Sequence, residues 1–254
     1  MITRRRAVLF VRVPAVPAEI DAEWNAWYDE IHIAYRMDKP HFLGARRYHA
    51  LAGEPRCFVL YELACVDALT SPQYLEHRRW ETAQPAGTFE SIGPKLPGFE
   101  RGVYEQTYGP QWPCKSFETS TIFLAGHDPL PADEDAFNTW YDTEHARAIE
   151  RMPGVTALRR FKLTQTPLTA RSGVRTARPE YLAAYYLTFE AVAEGETFRQ
   201  EIETTWRKGQ GGVAPRFAML GRLIYSVAAK GPKNGPDSHG TTLSPSHASA
   251  KRFR

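Results

Sequence analysis

With 254 residues, 43% apolar and 24% charged, the chain can hold one large domain or two of about 100–125 residues without staples. Its formal net charge is +3, and Lys233, Lys251, Arg252 and Arg254 against Asp237 place that excess in residues 231–254, which excludes the clustered basic face of a nucleic-acid binder. The cysteines Cys57, Cys65 and Cys114 are odd in number and lack metal-ligand spacing, which argues against a disulfide framework and for a reducing compartment.

The N-terminus opens with Arg4-Arg5-Arg6, as a signal peptide does, but its apolar run from Ala7 ends at Arg12. That is too short for an export signal, and no stretch approaches the length of a membrane span. A cytoplasmic protein with no membrane partner is expected. Residues 7–13 are apolar and β-branched and end at Pro14, which predicts a strand. Trp24, Trp27, Tyr28, Ile31 and Tyr35 then fall on one face of a helix over 19–37. Pro40 stops that helix. Strands are predicted at 42–51 and 56–64, joined by a turn containing Gly53. A second helix falls within 67–83 and a last strand at 99–108.

The same order then recurs. Residues 24–48 and 137–161 align at a constant offset, with identity at Asn25/Asn138, Trp27/Trp140, Tyr28/Tyr141, Asp29/Asp142, His32/His145, Pro40/Pro153, Arg46/Arg159 and Arg47/Arg160. Pro55 to Leu63 pairs with Pro179 to Leu187 after extra residues within 166–178. Pro94, Arg101 and Tyr104 match Pro215, Arg222 and Tyr225. Elements at 120–126, 133–151, 155–165, 180–189, 190–208 and 216–228 complete a second copy.

Each copy reads β-α-β-β-α-β, the ferredoxin-like order. Such a sheet has helices on one face, and its bare second face must be buried. The predicted fold is therefore α+β: ferredoxin-like repeats at 1–108 and 119–230, joined by a linker at 109–118, whose antiparallel sheets face each other as a pseudo-symmetric dimeric α/β barrel. Residues 231–254 are rich in Gly, Pro, Ser and His without an apolar period, which predicts a disordered tail.

The segment WYDTEHARAIERMPGVTALRRF, Trp140 to Phe161, with its echo from Trp27 to Tyr48, resembles the EthD-like branch of the dimeric α/β-barrel superfamily. The first copy departs from the pattern at Lys39-Pro40-His41, where relatives carry Pro-Gly. The resemblance implies the barrel. It leaves function open among cofactor-free cyclases, dehydratases, isomerases and oxygenases of aromatic or polyketide substrates, and haem-binding relatives.

On a regular helix Tyr28, Asp29 and His32 are neighbours, as are Tyr141, Asp142 and His145. Asp can orient an imidazole for proton transfer, and a tyrosine hydroxyl can support a developing oxyanion. The same set can equally be a packing motif. Of Arg46-Arg47 and Arg159-Arg160, one of each pair can face a pocket and hold an anion while the other is exposed or ion-paired. Trp27, Trp140, Tyr61 and Tyr185 are candidate pocket walls. His41, His49 and His127 form no metal-ligand spacing, and nothing favours His41 or His127 as a haem ligand. No nucleotide-binding or serine-nucleophile motif occurs.

The expectation is a small enzyme with no cofactor and no metal site, of lyase, dehydratase or isomerase type. It acts on an aromatic, polyketide-like or lactone small molecule, with a homodimer of the fused barrel as a further possible assembly. The alternatives are a non-catalytic ligand-binding or assembly module and a haem- or oxygen-dependent oxygenase.

Overall fold

Strand burial explains the architecture. In β1 (Ala7–Val13), Val8 and Phe10 point to one side and Ala7, Leu9, Val11 and Val13 to the other, and all are buried. A strand that is apolar on both faces needs cover on both. In the computed structural model, which describes residues 5–51, 56–92, 96, 98–165, 175–176, 179–207 and 217–229, that cover is a barrel interior on one side and helices on the other.

The elements are β1, helix α1 (21–37), β2 (Phe42–Ala50), β3 (Cys57–Leu63), α2 (Pro72–Thr82), α3 (Phe89–Ile92) and β4 (Glu100–Tyr108), followed by β5 (Thr121–His127), helix α4 (134–150), β6 (Val155–Leu163), the short β7 (Arg175–Thr176), β8 (Tyr181–Leu187), α5 (Ala191–Glu194), α6 (Glu196–Arg207) and β9 (Phe217–Ala228). Eight strands close in the order β1-β3-β2-β9-β5-β8-β6-β4, with β4 returning to β1. Every pairing around the barrel is antiparallel; β7 adds a short parallel pairing outside β4. The first half contributes the run β4-β1-β3-β2 and the second β9-β5-β8-β6, with seams at β2–β9 and β4–β6.

Three apolar cores result. Phe10, Tyr48, Phe58, Tyr104, Leu124, Phe161 and Tyr186 fill the barrel. Leu9, Val11, Trp24, Tyr28, Tyr61 and Tyr74 pack between the first half's strands and its helices, and Phe137, Tyr141, Leu158, Tyr185 and Phe198 do the same in the second half. Each fully buried side chain of this size contributes about 1.5–3 kcal/mol, so both layers on either side of the strands matter.

The central strands of the two halves pair in a comparable register. Tyr61 lies between Leu9 and Ala45, and Tyr185 between Phe123 and Leu158. For the last strands the register corrects the sequence alignment. Arg101 is opposite Val11, and the corresponding place opposite Ala125 is taken by Ala218. Arg222 sits further along β9, opposite Thr121. The strongest sequence match, Arg with Arg, is therefore not the spatial one. The turn containing Gly53, the positions of Pro55, Pro94 and Pro215, most of 166–178 and the tail 231–254 lie outside the described residues.

The two long helices share an irregularity. Each is α-helical at its ends, Asp21–Trp27 with Ile33–Met37 and Glu134–Trp140 with Ala146–Glu150, but has a π turn between them, Tyr28–His32 and Tyr141–His145. Ile33 N–H donates to the Tyr28 carbonyl and Ala146 N–H to the Tyr141 carbonyl, five residues back rather than the usual four.

Candidate functional site

The π turn sets the local geometry. Widening the helix by one residue brings i and i+5 together, so the Trp27 and His32 rings lie 5.0 Å apart and Trp140 and His145 5.1 Å apart. Tyr28 and His32 are 4.8 Å apart, and Tyr141 and His145 4.6 Å. Asp29 and Asp142 turn away from these histidines. Arg47 donates to Asp29 at 2.9 Å and also to Asn25. Arg160 donates to Asp142 and, at 2.7 Å, to Asn138. Each guanidinium also lies over a tyrosine ring of its helix, Arg47 over Tyr28 at 4.7 Å and Arg160 over Tyr141 at 3.9 Å. The repeated Asn, Asp and second Arg thus form a clamp between helix and sheet.

Neither arginine of each pair is exposed, because both sheet faces are covered. Arg46 and Arg159 point into the barrel. Arg46 donates to the Thr119 carbonyl at 2.8 Å. Arg159 meets Glu62 at 2.6 and 2.9 Å, Gln106 at 2.9 Å and Tyr186 at 3.3 Å.

In the first half a cavity of about 560 Å³, counting its open mouth, lies between the strands and helices. Trp24, Trp27, Tyr28, Tyr61 and Phe89 form its aromatic wall, and His32, Arg36, Arg78, Glu81 and Arg101 its polar side. Glu81 is the hub. It accepts from Arg36 at 2.8 and 3.1 Å and from Arg78, with His77 Nε2 at 3.4 Å and His32 Nδ1 at 3.8 Å. Burial opposes its ionisation, yet Arg36, His77 and Arg78 overcome that and hold its pKa well below the usual carboxylate range. His32 keeps 18% of its side chain exposed. Burial and the Arg36 charge outweigh Glu81 and push its pKa well down, so the imidazole is neutral. Arg101 is pushed down to about 10 by burial, with Arg78 and Arg36 adding to the effect. Arg36 Nη1 and Arg78 Nε are buried without a hydrogen-bond partner, whereas the Tyr28 and Tyr61 hydroxyls are hydrogen-bonded to each other. Burial also raises the Tyr28 and Tyr61 pKa values, so both hydroxyls remain protonated donors.

The second half answers with a closed chain of hydrogen bonds. The Tyr141 and Tyr185 hydroxyls are hydrogen-bonded to each other, Tyr185 Oη lies 3.3 Å from His145 Nε2, and His145 Nδ1 lies 3.2 Å from Glu201. Both ring nitrogens of His145 are therefore engaged. Burial lowers the His145 pKa against the pull of Glu201 and raises Tyr141 to about 12. Position by position, Arg36 gives way to Ile149, His77 to Glu201, Arg78 to Ile202 and Arg101 to Ala218. Among the described residues the charged cluster belongs to the first half alone.

Sequence reasoning brought Tyr28, His32, Trp27 and Tyr61 to this cavity but missed Arg36, Arg78, Glu81 and Arg101. A signal existed. Tyr74, His77, Arg78 and Glu81 stand at i, i+3, i+4 and i+7 of α2 and are all buried, so polar residues occupy the stripe a surface helix reserves for apolar ones. Among the described residues no group of three or more His, Cys, Asp or Glu side chains is placed to hold a metal ion. A haem is poorly served as well. His127 is buried against Phe137 and Tyr141, with its pKa lowered to about 3 by burial and Arg160. His145 has no free nitrogen, and His32 Nδ1 faces the buried Glu81 at 3.8 Å, with Arg36 and Arg78 charged beside it. These residues do not fit a porphyrin.

No family profile matches the sequence, and no curated protein matches it. The fold does have solved counterparts. A provisionally named monooxygenase from Fusobacterium nucleatum superposes with TM-score 0.57 at 6% identity, covering 90% of this chain and 96% of that one. An anthrone oxidase-like protein gives 0.56 at 10%, covering 89% and 94%. A chlorite dismutase variant from Candidatus Nitrospira defluvii gives 0.52 at 10%, covering 88% and 94%. No described helix is long and apolar enough to cross a membrane. The names of these counterparts correct one expectation: they speak of oxygen chemistry, and the cofactor-independent lyase, dehydratase or isomerase is set aside. What the likeness establishes is the fold, a closed antiparallel barrel of the dimeric α/β-barrel type.

Proposed function

We propose that this chain is an oxygen-dependent oxidoreductase of monooxygenase type, oxidising a small aromatic molecule in the first-half cavity. The observation that carries the reading is His32, a neutral imidazole set on Trp27 and Tyr28 at the edge of an aromatic-walled cavity. The names of the structural counterparts support it.

His32 accepts a proton from an acidic benzylic or phenolic position of the substrate. Tyr28 and Tyr61, kept protonated by burial, donate to the oxygen on which the negative charge rests. The resulting anion is electron-rich enough to reduce dioxygen: one electron passes, the radicals combine into a C–O bond, and the His32 proton completes a substrate hydroperoxide. Loss of water then leaves a ketone. A CH₂ group and O₂ become C=O and H₂O, with no external reductant.

We further read the two halves as copies of one ferredoxin-like unit, of the EthD-like branch, in which the second copy has become a structural partner. The shared π turns, the shared Asn-Asp-Arg clamp and the matching strand register support this.

Oxygen uptake with tricyclic compounds bearing a doubly benzylic CH₂ tests the reading. Uptake with one ¹⁸O entering the product is expected. His32→Ala should lower the rate at least 100-fold, in line with loss of a general base, while His145→Gln stays within about twofold at equal folded fraction. No uptake by the wild-type chain, or equal loss in both variants, refutes it.

A further inference from the structure

We propose that Tyr185 is a redox-active tyrosine, which gives an electron to a one-electron oxidant such as an organic peroxyl radical while its phenolic proton passes to His145. The site lies in the second half and does not depend on the oxidation proposed for the first.

A phenol at neutral pH gives up an electron readily only when its proton can leave at the same moment, because the oxidised phenol is a strong acid. Tyr185 is 0% exposed, so water is not the base at hand. Its hydroxyl lies 3.3 Å from His145 Nε2, and its other partner, Tyr141, is a second phenol. Glu201 Oε1 lies 3.2 Å from His145 Nδ1. A carboxylate accepts and does not donate, which puts the ring proton on Nδ1 and turns the Nε2 lone pair to Tyr185. Burial keeps the imidazole neutral beforehand, so Nε2 is vacant when the electron leaves. The O–H bond of Tyr185 then breaks. Its electron goes to the oxidant and its proton to Nε2, leaving a neutral phenoxyl radical and an imidazolium. A peroxyl radical reduced in this way becomes a peroxide anion, which takes a proton from water. The new charge on His145 faces Glu201, whose side chain is 26% exposed, so the chain of hydrogen bonds runs from the core to the surface.

Two tyrosines share this chain, and Arg160 distinguishes them. Its guanidinium lies 3.9 Å from the centre of the Tyr141 ring, where a fixed positive charge opposes removal of an electron. With its own proton directed to His145, Tyr185 receives the Tyr141 hydroxyl as a donor, and that bond holds the phenoxyl oxygen after oxidation. Phe123 and Phe198 pack edge-on against the Tyr185 ring at 5.7 and 5.8 Å, which shields a radical there from solvent and from coupling with a second one. Trp140, 7% exposed, stacks on His145 at 5.1 Å and gives the electron an aromatic path towards the surface.

Brief oxidation of the full chain with hexachloroiridate(IV) under nitrogen, followed by rapid freezing and electron paramagnetic resonance, tests this. The wild-type chain should give a neutral tyrosyl signal. Tyr185→Phe, which loses only the hydroxyl, should lower its yield roughly tenfold or more, and His145→Gln should do the same because an amide is no base. Tyr108→Phe, at a surface tyrosine whose hydroxyl donates to Glu150 at 3.0 Å, should leave the signal unchanged. If Tyr185→Phe fails to fold by circular dichroism, His145→Gln carries the decision. The absence of a tyrosyl signal in the wild-type chain, its survival in Tyr185→Phe or His145→Gln, or its loss in Tyr108→Phe overturns the proposal. The readout needs neither substrate nor dioxygen, so its failure and that of the proposed oxidation are distinguishable.

Discussion

Glu62→Gln tests whether a dry ion pair holds the two halves together. Glu62 is on β3 and Arg159 on β6, strands of different halves that are not neighbours in the sheet. Their side chains meet inside the barrel at 2.6 and 2.9 Å, 1% and 0% exposed. Burial disfavours the Arg159 charge, and Glu62 more than restores it, raising the pKa above the ordinary arginine value. The amide replacement keeps the shape and one acceptor but removes the negative charge, leaving a guanidinium that faces only Gln106, Tyr186 and the Phe117 and Phe161 rings. Breaking one partner of such a pair costs about 3–5 kcal/mol. The retained acceptor sets the expected loss near the lower end, at about 3 kcal/mol. For a chain of this size that is a fall in melting temperature of roughly 6–12 °C. Urea unfolding followed by tryptophan fluorescence measures it, with an unchanged denaturant slope showing that the native state is intact. Glu62→Leu combined with Arg159→Met should recover at least half of the loss, because two apolar groups of similar volume remove both desolvation costs together. A single-variant loss below about 1 kcal/mol would mean that water or a rearranged partner neutralises Arg159, and the account of the barrel interior would be wrong.

Acid should destabilise the protein before its carboxylates titrate. His32, His127 and His145 have folded-state pKa values pushed below their unfolded value, chiefly by burial, so below about pH 6.5 the unfolded chain takes up protons that the native state refuses. Stability present at neutral pH is then lost as pH falls, by about 1.4 kcal/mol per unit for each histidine. Denaturation at pH 7, 6 and 5 should show that slope, reduced by one histidine's share in His127→Gln; a flat profile over this range contradicts it. His41→Gly should stabilise: His41 has φ 72° at the place where the second half has Gly154 with φ 88°, and the left-handed conformation costs a residue with a Cβ about 1–2 kcal/mol, against the entropy cost of a glycine of about 0.5–1 kcal/mol. The net gain, about 0.5–1 kcal/mol by urea unfolding, would be replaced by a loss if the imidazole contributes a contact of its own.

The barrel was legible because its cause is periodic and local. Strands apolar on both faces, such as β3 and β8, announce that the strands are covered on both sides, and the recurrence of the Trp-Tyr-Asp and Arg-Arg segments led to the expectation of enough strands for a barrel. The π turns were not legible. Their residues satisfy an ordinary helical spacing, and the wider turn goes with contacts that this spacing does not announce, Asp29 drawn to Arg47 of the sheet and the His32 ring set 5.0 Å from that of Trp27. Nor was the charged cluster. Its members come from α1, α2 and β4, and the offset between the halves changes along the chain, so no single alignment sets Arg36 beside Ile149, Arg78 beside Ile202 and Arg101 beside Ala218 all at once. The best local match even pairs Arg101 with Arg222, an exposed residue bound to Glu190 at 2.5 and 2.9 Å. Identity there suggested equivalence where hydrogen-bond register denies it. The difference matters because burial gives the same residue type opposite consequences: Arg222 can be exchanged at the surface with little effect, whereas Arg101 brings charge into a cavity, at a position where the second half has Ala218. The two halves of the barrel thus enclose one charged recess and one closed hydrogen-bonded chain, and it is this inequality, more than the recurring motif, on which the proposal of a ligand in the first half rests.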